Sequence, residues 1–136
     1  MKDVNSVSSA NNGFSFRKKE RLCSKKIIDK LFTEGTSFLI FPLKIQIIET
    51  KLPTLITAQA AFMVSKKIFK KAVDRNLLKR RMREAYRLNK NAFYVNLKER
   101  QLVISFIFIG KEITGYKQIE TAIKKALKKI CMQPTN

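Results

Sequence analysis

Apolar residues recur along most of this chain, first at helical spacing and then at strand spacing. Residues 1–13 show neither period; they are rich in Ser and Asn and read as a disordered tail. Phe14 and Phe16 open the patterned part, followed by the basic run Arg17, Lys18, Lys19 and Arg21. A first helix is predicted from Ser24 to about Thr33. Ser24 is a suitable N-cap, and Ile27, Ile28, Leu31 and Phe32 form one apolar face. Gly35 suits the left-handed position after the last turn. A strand is predicted over 41–49, where Leu43, Ile45 and Ile47 alternate with Lys44, Gln46 and Ile48. Pro53 marks a loop, and a second strand over 55–65 follows. A long helix is predicted over 72–88. An almost wholly apolar strand over 102–109 reads as central and covered on both faces. A final helix over 116–132 buries Ile119, Ala122, Ile123, Ala126, Leu127 and Ile130, and turns Lys117, Lys124, Lys125 and Lys128 outward. The order α-β-β-α-β-α describes a single α+β domain, a sandwich of one sheet and packed helices, over residues 14–133, with a short tail at 134–136.

Charge changes this picture most. Lys and Arg number 29 against 10 acids, a formal +19. A compact domain with that much like charge repels itself and calls for a polyanionic partner, nucleic acid first and an anionic membrane surface second. The stretch 66–90 alone holds eleven Lys or Arg and two acids, Asp74 and Glu84. On a helical wheel at roughly 100° per residue, Arg75, Lys79, Arg83, Asn76, Arg87 and Arg80 occupy one arc of about 140°. Leu77, Leu78, Met82, Ala85 and Leu88 occupy the opposite arc. Arg81 and Asp74 lie near the apolar side, where they either pair or Arg81 snorkels to water. An ordinary solvated helix face interleaves both signs; this one lines up cations at i,i+4, which destabilise one another. Arginine also holds phosphate through a planar fork and stacks on bases, which favours nucleic acid over lipid.

Other chemistries are thinly represented. There is no histidine, and the carboxylates are scattered, so neither acid–base catalysis nor a two-metal nuclease centre is expected. No catalytic residue and no protein-bound metal are assigned. Cys23 and Cys131 read as small buried side chains of a reduced, cytoplasmic protein. No signal peptide and no bilayer-spanning apolar run is seen.

At the basic helix the sequence resembles a known family. Ser65-Lys66-Lys67, Lys71-Ala72-Val73-Asp74-Arg75-Asn76 and Lys79-Arg80-Arg81-Met82-Arg83-Glu84-Ala85 are similar to the RNR motif of the bacterial ribonuclease P protein component. Arg21-Leu22, Phe32, Gly35-Thr36, the strand over 102–109 and the last helix extend the resemblance to about 16–132. It implies a fold like the second domain of ribosomal protein S5, with a left-handed βαβ crossover that periodicity does not show. It also implies a catalytic ribonuclease P RNA as partner, precursor tRNA as substrate, one protein monomer per RNA, and Mg2+ held mainly by the RNA, which performs the cleavage. The RNA-binding residues so implied are Lys66, Lys67, Lys70, Lys71, Arg75, Asn76, Lys79, Arg80, Arg83 and Arg87. A cleft for the 5′ leader is implied at Phe32, Lys44 and Gln46, although Phe32 equally suits a core position. Leu77, Ile28, Gln46 and Phe69 depart from the residues common in the family. Competing readings are a ribosome-associated RNA-binding protein, a peripheral membrane protein and a stand-alone nuclease.

Overall fold

The computed structural model describes residues 20–21, 25–52, 57–98 and 100–132. The elements are α1 (Lys25–Glu34), β1 (Thr36–Ile40), β2 (Leu43–Glu49), β3 (Ala58–Val64), α2 (Ala72–Leu97), β4 (Leu102–Phe108) and α3 (Tyr116–Met132). This is the predicted α-β-β-α-β-α order with one further strand, β1, which forms an antiparallel hairpin with β2 at the sheet edge. Its pattern, Thr36-Ser37-Phe38-Leu39-Ile40, leaves it largely exposed, so no clean alternation announced it. The predicted Ser24 cap, the tail 1–13, Pro53 and Cys23 lie outside the described residues.

The sheet order is β1-β2-β4-β3. β2 and β4 are antiparallel; β3 and β4 are parallel neighbours, so α2 is the crossover that joins them. β4 is central and buried on both faces, as its apolar run predicts. Leu43, Ile45 and Ile47 of β2 face α2 and α3 and share the main core with Ala58, Ala60, Ile104, Phe106 and Phe108. Leu31, Leu52 and Val103 form a smaller core under α1 on the other face, with Ile27, Ile28, Ile48 and Ala61 packed against it. The sheet is therefore sandwiched between α1 on one side and α2 with α3 on the other. The buried stripe of α3 is the predicted one, residue for residue.

Two expectations are corrected. α2 does not stop at Leu88 but runs on to Leu97. Leu88, placed on the apolar arc, is 40% exposed, whereas Tyr86, Lys90, Phe93 and Leu97 are buried. The buried positions Leu78, Met82, Tyr86, Lys90, Phe93 and Leu97 are mostly four residues apart, which exceeds the 3.6-residue turn. The inward stripe therefore drifts around the helix as it advances. The second correction is Gly35, which does not adopt a left-handed conformation. Its requirement is space: a Cβ there would lie 2.4 Å from the Leu31 carbonyl oxygen and 2.9 Å from that of Ile47. Glycine lets the end of α1 rest directly on β2.

Candidate nucleic-acid interface

The segment between β3 and α2 is held from below and presents its cations outward. Phe69 is buried, with its ring against that of Phe108 at 5.7 Å. Its amide donates to the Ser65 carbonyl, and the Arg75 guanidinium donates to the carbonyls of Phe69 and Lys70 at 2.8 and 2.9 Å. With the loop fastened at Phe69, Lys66, Lys67, Lys70 and Lys71 are all exposed. α2 begins at this loop, and its N-cap, Lys71, supplies no side-chain cap. The positive end of the helix dipole thus adds to four lysines.

The cationic arc along α2 divides by burial. Asn76, Arg80 and Arg83 are exposed, and among the described residues neither arginine forms an ion pair, while Lys79 is half-buried. Arg75 is turned back to the loop, so it is first a structural tie and only secondarily a free cation. Its wheel angle coincides with that of Phe93, and the drift of the buried stripe explains why the two positions differ from a simple two-arc picture. Arg87 pairs with Glu84 through Nε at 3.0 Å and Nη2 at 2.8 Å. That bond holds the Glu84 carboxyl below its usual range. Asp74 and Arg81 do not pair; Arg81 donates to the Thr114 carbonyl at 2.7 Å and ties α2 to the start of α3.

Lys90, counted from sequence among the cations of the basic stretch, belongs to the interior. It is 3% exposed and pairs with Glu20, which also accepts a 2.7 Å hydrogen bond from the Tyr94 hydroxyl. Tyr86 and Tyr94 join the network through their hydroxyls at 3.1 Å, and burial pushes both phenols well above their usual range. No periodicity distinguishes this lysine from its exposed neighbours, and its partner lies seventy residues away.

On the opposite face of the sheet, Lys44, Gln46 and Ile48 point to the α1 side. Across the sheet, Gln46 aligns with Ser37 of β1 and Ser105 of β4, and Lys44 aligns with Leu39 and Ile107. α1 covers the Ile48–Val103 end and leaves the Lys44 end open, with Leu39 largely exposed. The Gln46 Oε1 is buried and has no hydrogen-bond partner among the described residues. Phe32 is 47% exposed on α1, outside both cores, which removes the core alternative. Among the described residues, no three His, Cys, Asp or Glu side chains converge as a metal site, and no helix is long and apolar enough to cross a membrane.

Comparison with known proteins matches this arrangement. The family model for ribonuclease P covers residues 16–131. The chain is 35% identical over 119 residues to the ribonuclease P protein component of Porphyromonas gingivalis, covering 86% of this chain and 87% of that protein. It is 34% identical over 125 residues to the component from Petrotoga mobilis, covering 87% and 97%. In fold it is similar to the RNase P protein of Thermotoga maritima, with a TM-score of 0.65 at 23% identity over 81% of this chain and 96% of that one. The Staphylococcus aureus RNase P protein gives a TM-score of 0.63 at 20% identity, over 82% and 94%. The basic loop, the cationic helix, the sandwich around one four-stranded sheet and these relatives converge, and the chain belongs to the ribonuclease P protein family.

Proposed function

We propose that this protein binds the catalytic RNA of ribonuclease P through the loop 66–71 and the outward face of α2, and receives the 5′ leader of precursor tRNA on the α1 side of the sheet. Family membership gives it a part in the ribonuclease P ribonucleoprotein and in tRNA processing. The observation that carries the RNA-binding reading is the set Asn76, Arg80 and Arg83, exposed and, among the described residues, without acidic partners, beside four exposed lysines. Binding phosphates there relieves like-charge repulsion and releases condensed counterions. Arg87 joins this set by exchanging Glu84 for phosphate, and Lys79 by extending its stem from the half-buried position.

The leader reading rests on the opposite side. A half-exposed Phe32 offers a stacking surface, Lys44 a cation, and Gln46 a buried acceptor that a base amine would satisfy. The two faces lie on opposite sides of one sheet, so a single monomer bridges enzyme RNA and substrate. Mg2+ prefers oxygen ligands, and a surface of Lys and Arg donors does not fit it; in this proposal the RNA holds the metal and performs the cleavage. A cytoplasmic protein is proposed accordingly.

Adding the purified protein to ribonuclease P RNA and following precursor-tRNA cleavage at low magnesium tests this reading. The protein should accelerate cleavage by the RNA and should cut nothing alone. Failure to stimulate, or cleavage at the mature 5′ end by RNA-free, contaminant-free protein, contradicts it.

A further inference from the structure

α3 carries five lysines, Lys117, Lys124, Lys125, Lys128 and Lys129, and a single acid, Glu120. All five lysines are exposed, and none forms an ion pair among the described residues. Glu120 is turned toward α2, where it accepts from the Tyr116 hydroxyl at 3.2 Å and from the Asn89 amide at 3.4 Å. Lys124 and Lys128 are four apart, as are Lys125 and Lys129, a spacing at which like charges destabilise a helix. Lys129 is partly accounted for, because its ammonium sits 4.7 Å from the centre of the Phe38 ring. The side chains of the other four make no such contact among the described residues.

Their position relative to α2 decides what they fit. Arg81 reaches Thr114, Asn89 reaches Glu120, and the Cys131 thiol approaches the Phe93 carbonyl. Contacts therefore advance along both helices together, and α3 runs beside α2 in the same direction. Tyr116, the residue before Lys117, lies near Glu84 and Arg87, where the arginine face ends. Lys124 and Lys128 continue along a groove of about 570 Å³ whose other wall carries Asn89 and Asn96. The positive surface thus extends from Lys117 to Lys128 along α3, about 17 Å at roughly 1.5 Å per residue. It lies in the α2 layer, across the sheet from Phe32, Lys44 and Gln46.

We infer that Lys117, Lys124, Lys125 and Lys128 form a second contact for the phosphate backbone of the same RNA that binds α2, lengthening its footprint along α3. This rests on the RNA-binding reading of α2. Lysine point charges suit backbone phosphates without reading bases, unlike the arginine-rich face before them. A lipid surface fits less well: Ile119, Ile123, Leu127 and Ile130 are all buried in the core, so α3 has no apolar face to insert.

The test is the salt dependence of full-chain binding to ribonuclease P RNA without substrate. The variant K124A/K125A/K128A should flatten the slope of log affinity against log salt by about 2 to 3 units if each lysine neutralises one phosphate. R80A/R83A should flatten it separately, and the combined variant should show the sum. K25A/K26A/K30A, the same charge change on α1, should leave it nearly unchanged. Circular dichroism confirms folding, and K124Q/K125Q/K128Q should repeat the result should the alanine variant misfold. An unchanged slope in the α3 variants, with R80A/R83A effective, overturns the inference and spares the reading of α2. Unchanged slopes in both overturn both. Equal flattening by the α1 control overturns it in favour of a general field effect. Loss confined to precursor tRNA, or to vesicles of phosphatidylserine and phosphatidylcholine, overturns it by assigning the lysines to the substrate or to a membrane.

Discussion

The two halves of α2 use positive charge in opposite ways. In the first half, Arg80 and Arg83 stand exposed with no acidic partner among the described residues; seven residues after Arg83, Lys90 is buried against Glu20, beside Tyr86 and Tyr94. An exposed cation keeps its hydration and remains available to a polyanion. A buried cation has lost its water and is tolerable only with a well-hydrogen-bonded counter-charge. Cation density along a sequence therefore measures binding capacity only after the buried members are removed. Here Lys90 drops out and Arg75 is partly spent on the loop.

The largest effect expected from this contrast is at Lys90. Lys90→Met should cost roughly 3–5 kcal/mol, because it removes the buried counter-charge that Lys90 supplies to the Glu20 carboxylate. The salt slope of RNA binding should not change in the folded fraction. Glu20→Leu added to Lys90→Met should recover much of the loss. Urea titration of the parent and the two variants decides it, and near-neutral stability for the single variant would place Lys90 with the surface cations after all.

Arg75 sharpens the boundary between the halves. Arg75→Ala should remove two hydrogen bonds to loop carbonyls and cost about 1–3 kcal/mol. Its direct effect on the salt slope should be smaller than that of Arg80→Ala. A thermal melt combined with a salt titration separates the two roles; unchanged stability with a full unit of slope lost would make Arg75 a plain phosphate ligand.

Arg80→Ala and Arg83→Ala should each stay within about 0.5 kcal/mol of the parent in stability, since neither head is in the core and Ala favours helix. Together they should reduce the salt slope by about 1.5 to 2 units. Unfolding of this double variant with its slope intact would invert the comparison.

On the other side of the sheet the stability effect is again modest, and the readout is discrimination between substrates. Phe32 is half exposed, so Phe32→Ala should cost about 1 kcal/mol, below the roughly 3–5 kcal/mol of a core Phe truncation. Affinity for leader-bearing tRNA should fall more than affinity for mature tRNA. Competition binding of the two RNAs to the holoenzyme measures the difference; equal losses would remove Phe32 from the leader surface.

The sequence by itself determined the elements with strong periods and the sign of the partner. The α3 stripe, the doubly buried β4 and the inward face of β2 follow from the spacing of apolar residues, because burial must match the period of the backbone. The exposure of Lys66, Lys67, Lys70 and Lys71, with Asn76, Arg80 and Arg83, follows from an uninterrupted excess of one charge. Tertiary structure alone decided the rest. β1 forms because β2 offers it a free edge, although its own residues stay largely exposed. α2 extends past Leu88 because Tyr86, Phe93 and Leu97 find the core once the buried stripe has drifted around the helix. Gly35 is required where the Leu31 carbonyl and the Ile47 carbonyl of β2 close in together, and the second of these is absent from the local window. Lys90 is interior because Glu20, distant in sequence, meets it there. Apart from the β1–β2 hairpin, each of these depends on a contact between residues distant in the chain, and a one-dimensional period carries no information about which distant surface will arrive.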